Sequence, residues 1–116
     1  MPKIAIIKLG GRVISHSSAR RQLTQAFLKE TEYRAVLVHG GGDKVTEVSR
    51  RFEIETRFHE GVRLTSPQEM EIVDMVLNGL INKLLVRDLQ HSGLNAVGIS
   101  GSDGGLVLGQ PKYPNF

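Results

Sequence analysis

Two glycine clusters follow short apolar segments, and each cluster could hold an anion. Lys8-Leu9-Gly10-Gly11 ends the first segment, and Val38-His39-Gly40-Gly41-Gly42 ends the second. Glycine lets the backbone turn sharply and bring its N–H groups close to an anion, and a following helix N-terminus favours negative charge. Lys8 adds a mobile cation at the same edge. Each glycine pair alone could simply form a tight turn, but two clusters at successive strand ends favour a polyphosphate site, although the usual phosphate motifs are absent.

Arg63 and His39 each have two interpretations. Arg63 lies in the segment Gly61–Thr65 and is either a solvated hairpin residue or a fork that binds a carboxylate. His39 precedes three glycines and resembles a general base, but a structural histidine at a strand end is the better interpretation.

The other polar candidates have mostly structural explanations. Asp103, in a glycine-rich turn, is expected to shape the turn and not to bind Mg²⁺. Asn82 and Lys83 are expected on a solvated helix face, although they could reach a ligand. The remaining histidines lack metal-ligand spacing, so no metal site is predicted; they are His16, His59 and His91.

Alternating strands and helices must position these residues. The apolar runs Lys3–Leu9, Ala35–His39 and Asn95–Ser100 predict three buried strands, and a further strand is expected to begin at Leu106. Alternation around Gly61 within Glu55–Thr65 predicts a β-hairpin.

Three helices are expected between these strands. Ser17-Ser18 can cap a helix that ends near Glu30, and Asp43 can cap a second whose apolar face includes Val45, Val48 and Phe52. Ser66-Pro67-Gln68-Glu69 forms a capping box before a regular apolar rhythm, and Gly93 ends the helix after about 25 residues and 37 Å. Its apolar stripe could be core or a partner interface.

The order of elements predicts an α/β fold with a mostly parallel open sheet, helices on both faces and a β-hairpin insertion. The length of 116 residues suits one domain. A net charge of +3, no Trp and no Cys argue against nucleic-acid binding, thiol chemistry and disulfides. No segment resembles a signal peptide or membrane span, so a cytoplasmic protein is expected.

Five blocks together resemble the acetylglutamate kinases of the amino acid kinase superfamily. They are similar to the family's blocks in order and spacing: Lys8–Gly11, Val38–Gly42, Gly61–Thr65, Met70–Val86 and Ala96–Gly105. The resemblance implies an αβα sandwich that phosphorylates the γ-carboxylate of N-acetyl-L-glutamate with ATP and Mg²⁺, in arginine biosynthesis. A homodimer is also implied.

The same resemblance assigns roles to individual residues. Lys8 would stabilise the transferring phosphoryl group, while the N–H groups of Gly10, Gly11 and Gly41 would hold phosphate oxygens. Gly41 and Gly42 would face the amino-acid substrate, and Arg63 would bind its α-carboxylate. The Mg²⁺ ion would be held mainly by the nucleotide.

The chain departs from the family in length. Family members are about twice as long, so residues 1–116 would be the N-terminal, substrate-binding half, without the C-terminal nucleotide-binding half, and the chain is expected to be truncated and inactive alone. Two alternatives stay open. One is a kinase of a carrier-linked aminoadipate or glutamate in lysine biosynthesis, and the other is a non-catalytic dimerising domain that binds a carboxylate.

Overall fold

A computed structural model of the chain describes residues 1–30 and 32–113. In these residues the main sheet consists of two parallel strands, β1 (Lys3–Leu9) and β2 (Tyr33–His39). Their register pairs Lys8 with Val38 and Leu9 with His39. Because the strands run in the same direction, both glycine clusters leave the sheet at one edge. The first two predicted strands are therefore confirmed.

Helices follow both strands. They are α1 (Gly11–Ser15), α2 (Ser17–Lys29) and α3 (Gly42–Arg51). The predicted caps are wrong: His16 is the N-cap of α2, and Gly41 is the N-cap of α3, which leaves Asp43 inside the first turn. A carboxylate there still complements the helix dipole. The five residues of α1 are too few to produce a recognisable apolar period.

The predicted hairpin is confirmed, with shorter strands. It consists of β3 (Arg57–His59) and β4 (Val62–Leu64), paired antiparallel. The two turn residues both have positive φ, 49° at Glu60 and 76° at Gly61, as two-residue hairpins favour. Tyr113 lies beside this turn, because its hydroxyl donates to Glu60 Oε2 at 3.2 Å.

One long helix spans residues 67–91 in three parts. These are α4 (Pro67–Asp74), a π-helical segment (Met75–Ile81) and α5 (Asn82–His91). The length agrees with the prediction, but the π-helical segment was not predicted. It shifts the buried face, so that the buried apolar residues are Ile72, Val76, Ile81 and Leu85, whereas Leu80 is 45% exposed.

The core joins one face of the strand pair to the helices. Leu9 and Ile7 face Val45 of α3 and the buried residues of the long helix, and Leu23 of α2 packs against the same cluster. Most of the apolar stripe on the long helix is therefore core. The opposite face of the strands carries four exposed large apolar side chains, namely Ile4, Ile6, Val36 and Val38.

The predicted third strand over Asn95–Ser100 is wrong, since these residues pair with no strand in the described part of the chain. The segment instead lies along α5, where side chains bind its carbonyls. Gln90 Nε2 donates to Ala96 O at 2.9 Å, and Lys83 Nζ donates to Gly98 O at 3.3 Å. The expected strand at Leu106 is also wrong: residues 106–108 are irregular and exposed. Residues 114–116 lie outside the described part.

Candidate active site

The carboxyl edge of the strand pair brings the first predicted residues together. Lys8 is exposed near the end of β1 and makes no ion pair or hydrogen bond within residues 1–30 and 32–113. Gly10 and Gly11 come directly after the last residue of β1, and a Cβ atom added to either would have no heavy atom within 4 Å. A cation and open backbone thus lie at the same end of the strand, where a phosphate group would have room.

Gly41 is required by the close approach of the long helix. Its φ is 152°, and an added Cβ would lie 2.2 Å from Ile81 Cδ1 and 2.9 Å from Leu77 Cδ2. Gly41 is also the N-cap of α3 and offers no side-chain cap. The first N–H groups of α3 are therefore free of a side-chain partner, as at helix ends that bind anions.

Arg63 reaches from the hairpin to the N-terminus of α3. Its Nη2 donates to Gly42 O at 3.0 Å and to Thr46 Oγ1 at 2.7 Å. Its guanidinium lies over the ring of Phe58, 4.9 Å from the centroid, and the side chain is only 16% exposed. The solvated-hairpin interpretation is therefore wrong, and Arg63 lies beside Gly42 as a common site requires. Its role toward a ligand stays a prediction.

Glu69 is the partner of Arg63 that sequence reasoning missed. Its Oε1 accepts from Arg63 Nη1 at 2.7 Å and from Thr56 Oγ1 at 2.8 Å, and the residue is 0% exposed. The capping box assigned Glu69 to the helix end, and its N–H does donate to Ser66 Oγ at 3.1 Å. The carboxylate, however, points inward. The available signal was its position three residues before Ile72, on the buried face.

His39 is a structural histidine, as expected. Its Nδ1 bonds Gly40 O at 3.0 Å, and its Nε2 accepts from Asn82 Nδ2 at 3.2 Å. Asn82 is 9% exposed, so the prediction of a solvated helix face is wrong for this residue. Lys83 is exposed but donates to Asn82 Oδ1 at 3.0 Å. Asn82 and His39 therefore join the start of α5 to the end of β2.

Asp103 shapes its turn, as predicted, because its Oδ2 accepts from Ser100 N at 2.6 Å. The loop around it borders an open cleft of about 520 Å³ beside the π-helical segment. Within the described ranges, no group of three or more His, Cys, Asp or Glu side chains could hold a metal ion. Every helix of these residues is too short or too polar to span a lipid bilayer.

The arrangement as a whole is suited to binding and not to covalent catalysis. It combines the Lys8 ammonium, open glycine N–H groups and the Arg63 guanidinium at one edge, and no nucleophilic side chain with an activating base stands among the predicted site residues. Phosphoryl transfer asks mainly for positioning and charge neutralisation. Residues 3–113 match the amino acid kinase family, so the chain belongs to that family.

Relatives within the family agree with the resemblance found in the sequence. The acetylglutamate kinase of Bacillus licheniformis is 42% identical over 108 residues, which cover 93% of this chain and 42% of the relative. That of Synechococcus sp. (strain CC9605) is 41% identical over 108 residues, covering 91% of this chain and 37% of the relative. That of Methanopyrus kandleri is 38% identical over 107 residues, which cover 92% of this chain and 40% of the relative.

A solved structure agrees with the fold. The crystal structure of smu.665 from Streptococcus mutans UA159 superposes with a TM-score of 0.67 and 26% identity, over 80% of this chain and 38% of that chain. The predicted fold class is confirmed. The chain spans about two fifths of the length of the curated relatives it matches, as 37% to 42% coverage shows.

Proposed function

We propose that residues 1–116 bind N-acetyl-L-glutamate as the N-terminal half of an acetylglutamate kinase. The observation that carries this proposal is the contact of Arg63 Nη2 with Gly42 O at 3.0 Å, at the same edge of the sheet as Lys8, which lies one residue before the end of β1. A guanidinium beside a free helix N-terminus suits a dicarboxylate whose second carboxylate reacts. The acetylglutamate kinases that resemble this chain support the choice of substrate.

The proposed reaction joins a γ-carboxylate oxygen of the substrate to the γ-phosphorus of ATP, and the bond from that phosphorus to the ADP oxygen breaks. MgATP supplies the phosphoryl group and its counterion. The open backbone at Gly10 and Gly11 leaves room for phosphate oxygens. Lys8 neutralises the charge that develops during transfer, and Arg63 binds the α-carboxylate so that the γ-carboxylate faces Lys8.

Gly41 and Gly42 have complementary parts in this proposal. The Gly41 N–H helps to hold a phosphate oxygen, and both glycines let the substrate approach the backbone closely. A side chain at Gly41 would already meet Ile81, so bulk there disturbs the helix and the site together. The reaction belongs to arginine biosynthesis in the cytoplasm.

A homodimer is also part of the proposal. Exposed apolar side chains on the long helix support it, namely Met70, Met75 and Leu80. They lie off the face that packs in the core, so they are free to meet a second copy of the chain.

Isothermal titration of the 116-residue chain with N-acetyl-L-glutamate tests the proposal. We expect Arg63→Lys to weaken binding at least tenfold, about 1.4 kcal/mol, because lysine keeps the charge but loses the fork. Arg57→Lys is the matched control, since Arg57 lies in the same hairpin with its side chain 70% exposed. Circular dichroism checks that each variant is folded. Absence of binding by the unaltered chain, or a change below twofold in Arg63→Lys, contradicts the proposal.

A further inference from the structure

The carboxylate of Glu69 is buried but only half satisfied. Its Oε1 accepts from Arg63, from Thr56 and, at 3.4 Å, from Ser49 Oγ, whereas Oε2 has no hydrogen-bond partner in the described part of the chain. Buried ion pairs of this kind often stabilise a fold less than apolar residues of the same volume would. Stability alone therefore gives a poor account of a glutamate at this position.

The two ends of the Arg63 guanidinium have different partners. Nη1 meets the charged, buried Glu69 at 2.7 Å, whereas Nη2 meets two neutral acceptors, Gly42 O and Thr46 Oγ1. The Nε–H has no partner among residues 1–30 and 32–113. Charge-assisted hydrogen bonds are about twice as strong as neutral ones. An incoming carboxylate would therefore displace the neutral acceptors and leave the bond to Glu69 in place.

We propose that Glu69 is a positioning residue for Arg63, an inference that rests on the proposed function. Glu69 holds Nη1, and the Phe58 ring, 4.9 Å from the guanidinium carbon, fixes the plane of the group. The edge made of Nε and Nη2 then faces a ligand carboxylate, which takes the place of Gly42 O and Thr46 Oγ1 on Nη2 and binds the edge with both of its oxygens. Glu69 touches no substrate in this arrangement and sets only the direction in which Arg63 presents its fork.

The test compares two ligands that differ at one group. N-acetyl-L-glutamate carries an α-carboxylate, and its α-carboxamide analogue lacks that charge. The dissociation constant of the carboxamide divided by that of N-acetyl-L-glutamate therefore measures how strongly the Arg63 fork recognises the carboxylate. We expect a ratio of at least ten for the unaltered chain and a ratio at least fivefold smaller for Glu69→Gln. Glu71→Gln is the matched control, because the exposed Glu71 lies on the same helix and the same charge is removed. Its ratio should stay within twofold.

A merely structural role for Glu69 makes a different prediction. Loss of packing would weaken both ligands in proportion and leave their ratio unchanged, which overturns the inference. Glu69→Asp is the second variant, since aspartate keeps the charge but its shorter side chain places the carboxylate farther from Arg63. We expect its ratio to lie between those of the unaltered chain and Glu69→Gln. If Glu69→Gln does not fold, an unchanged ratio in Glu69→Asp overturns the inference. If the unaltered chain binds N-acetyl-L-glutamate and Glu69→Gln keeps the same preference for the α-carboxylate, the positioning role of Glu69 is refuted while the proposed function stands. If the unaltered chain binds neither ligand, the proposed function fails as well.

Discussion

Substitution of Gly41 by alanine should destabilise the protein far more than the same change one residue earlier. At φ 152°, a Cβ would lie 2.2 Å from Ile81 Cδ1, in the middle of the core-facing part of the long helix. Backbone strain at such an angle costs about 1–3 kcal/mol, and overpacking costs about 1–3 kcal/mol more. We therefore expect Gly41→Ala to lower the free energy of unfolding by about 4 kcal/mol, against about 5–15 kcal/mol for a whole domain.

Urea unfolding followed by circular dichroism measures this difference. With a slope of about 2 kcal/mol per molar urea, the midpoint should fall by about 2 M in Gly41→Ala. Gly40→Ala is the matched control, because an added Cβ at Gly40 has no heavy atom within 4 Å. Its midpoint should stay close to that of the unaltered chain. A difference of less than about 1 kcal/mol between the two variants would refute the argument that the long helix requires glycine at 41.

The remaining predictions concern turnover, assembly and pH. The isolated chain should produce no acyl phosphate at a normal rate in a hydroxamate assay, because it spans only 37% to 42% of the matched kinases; robust turnover would contradict the proposal of a substrate-binding half. Sedimentation at tens of micromolar should detect a dimer, and Leu80→Glu should shift it toward monomer. A hydrogen bond from Lys44 lowers the pKa of Glu47, with help from the charges of Arg51 and Arg50. Because the folded-state pKa is the lower one, this contribution to stability is present above the unfolded-state pKa and is lost as pH falls through the folded value. NMR titration of the Glu47 carboxyl should record a lowered pKa in the unaltered chain, and the pKa of Glu47 should rise in Lys44→Gln.

Local signals in the sequence were sufficient for the elements next to the site. The run Lys3–Leu9 is apolar and ends in glycines, and Ser66 precedes Pro67 at a helix start, so both boundaries follow from short-range rules. The turn at Gly61 likewise identified the hairpin. The same rules predicted that one edge of the sheet holds Lys8, Gly10, Gly11, Gly41 and Gly42, because parallel strands end at the same edge.

Features that depend on distant contacts were not predictable. Asn95–Ser100 has the composition of a strand, but hydrogen bonds from side chains of the long helix hold its carbonyls, and no local pattern reveals them. The inward turn of Glu69 depends on Arg63 and Thr56, which precede it in the chain but meet it only after folding. The five-residue step from Val76 to Ile81 was hidden because Leu80 also continued a regular helical period.

Because of its π-helical segment, the long helix contains one residue more than a regular α-helix would need to keep the same faces toward the core. Each residue of an α-helix turns about 100°, and a wider π turn absorbs about one additional residue. Deleting the exposed Gly79 would return Met75–Ile81 to α-helical geometry, while Ile72 and Leu85 keep their faces toward the core. The same deletion inside α5 would rotate every later side chain away from its neighbours. Single-residue deletions in related chains should therefore be tolerated within residues 75–81 and disfavoured within α5.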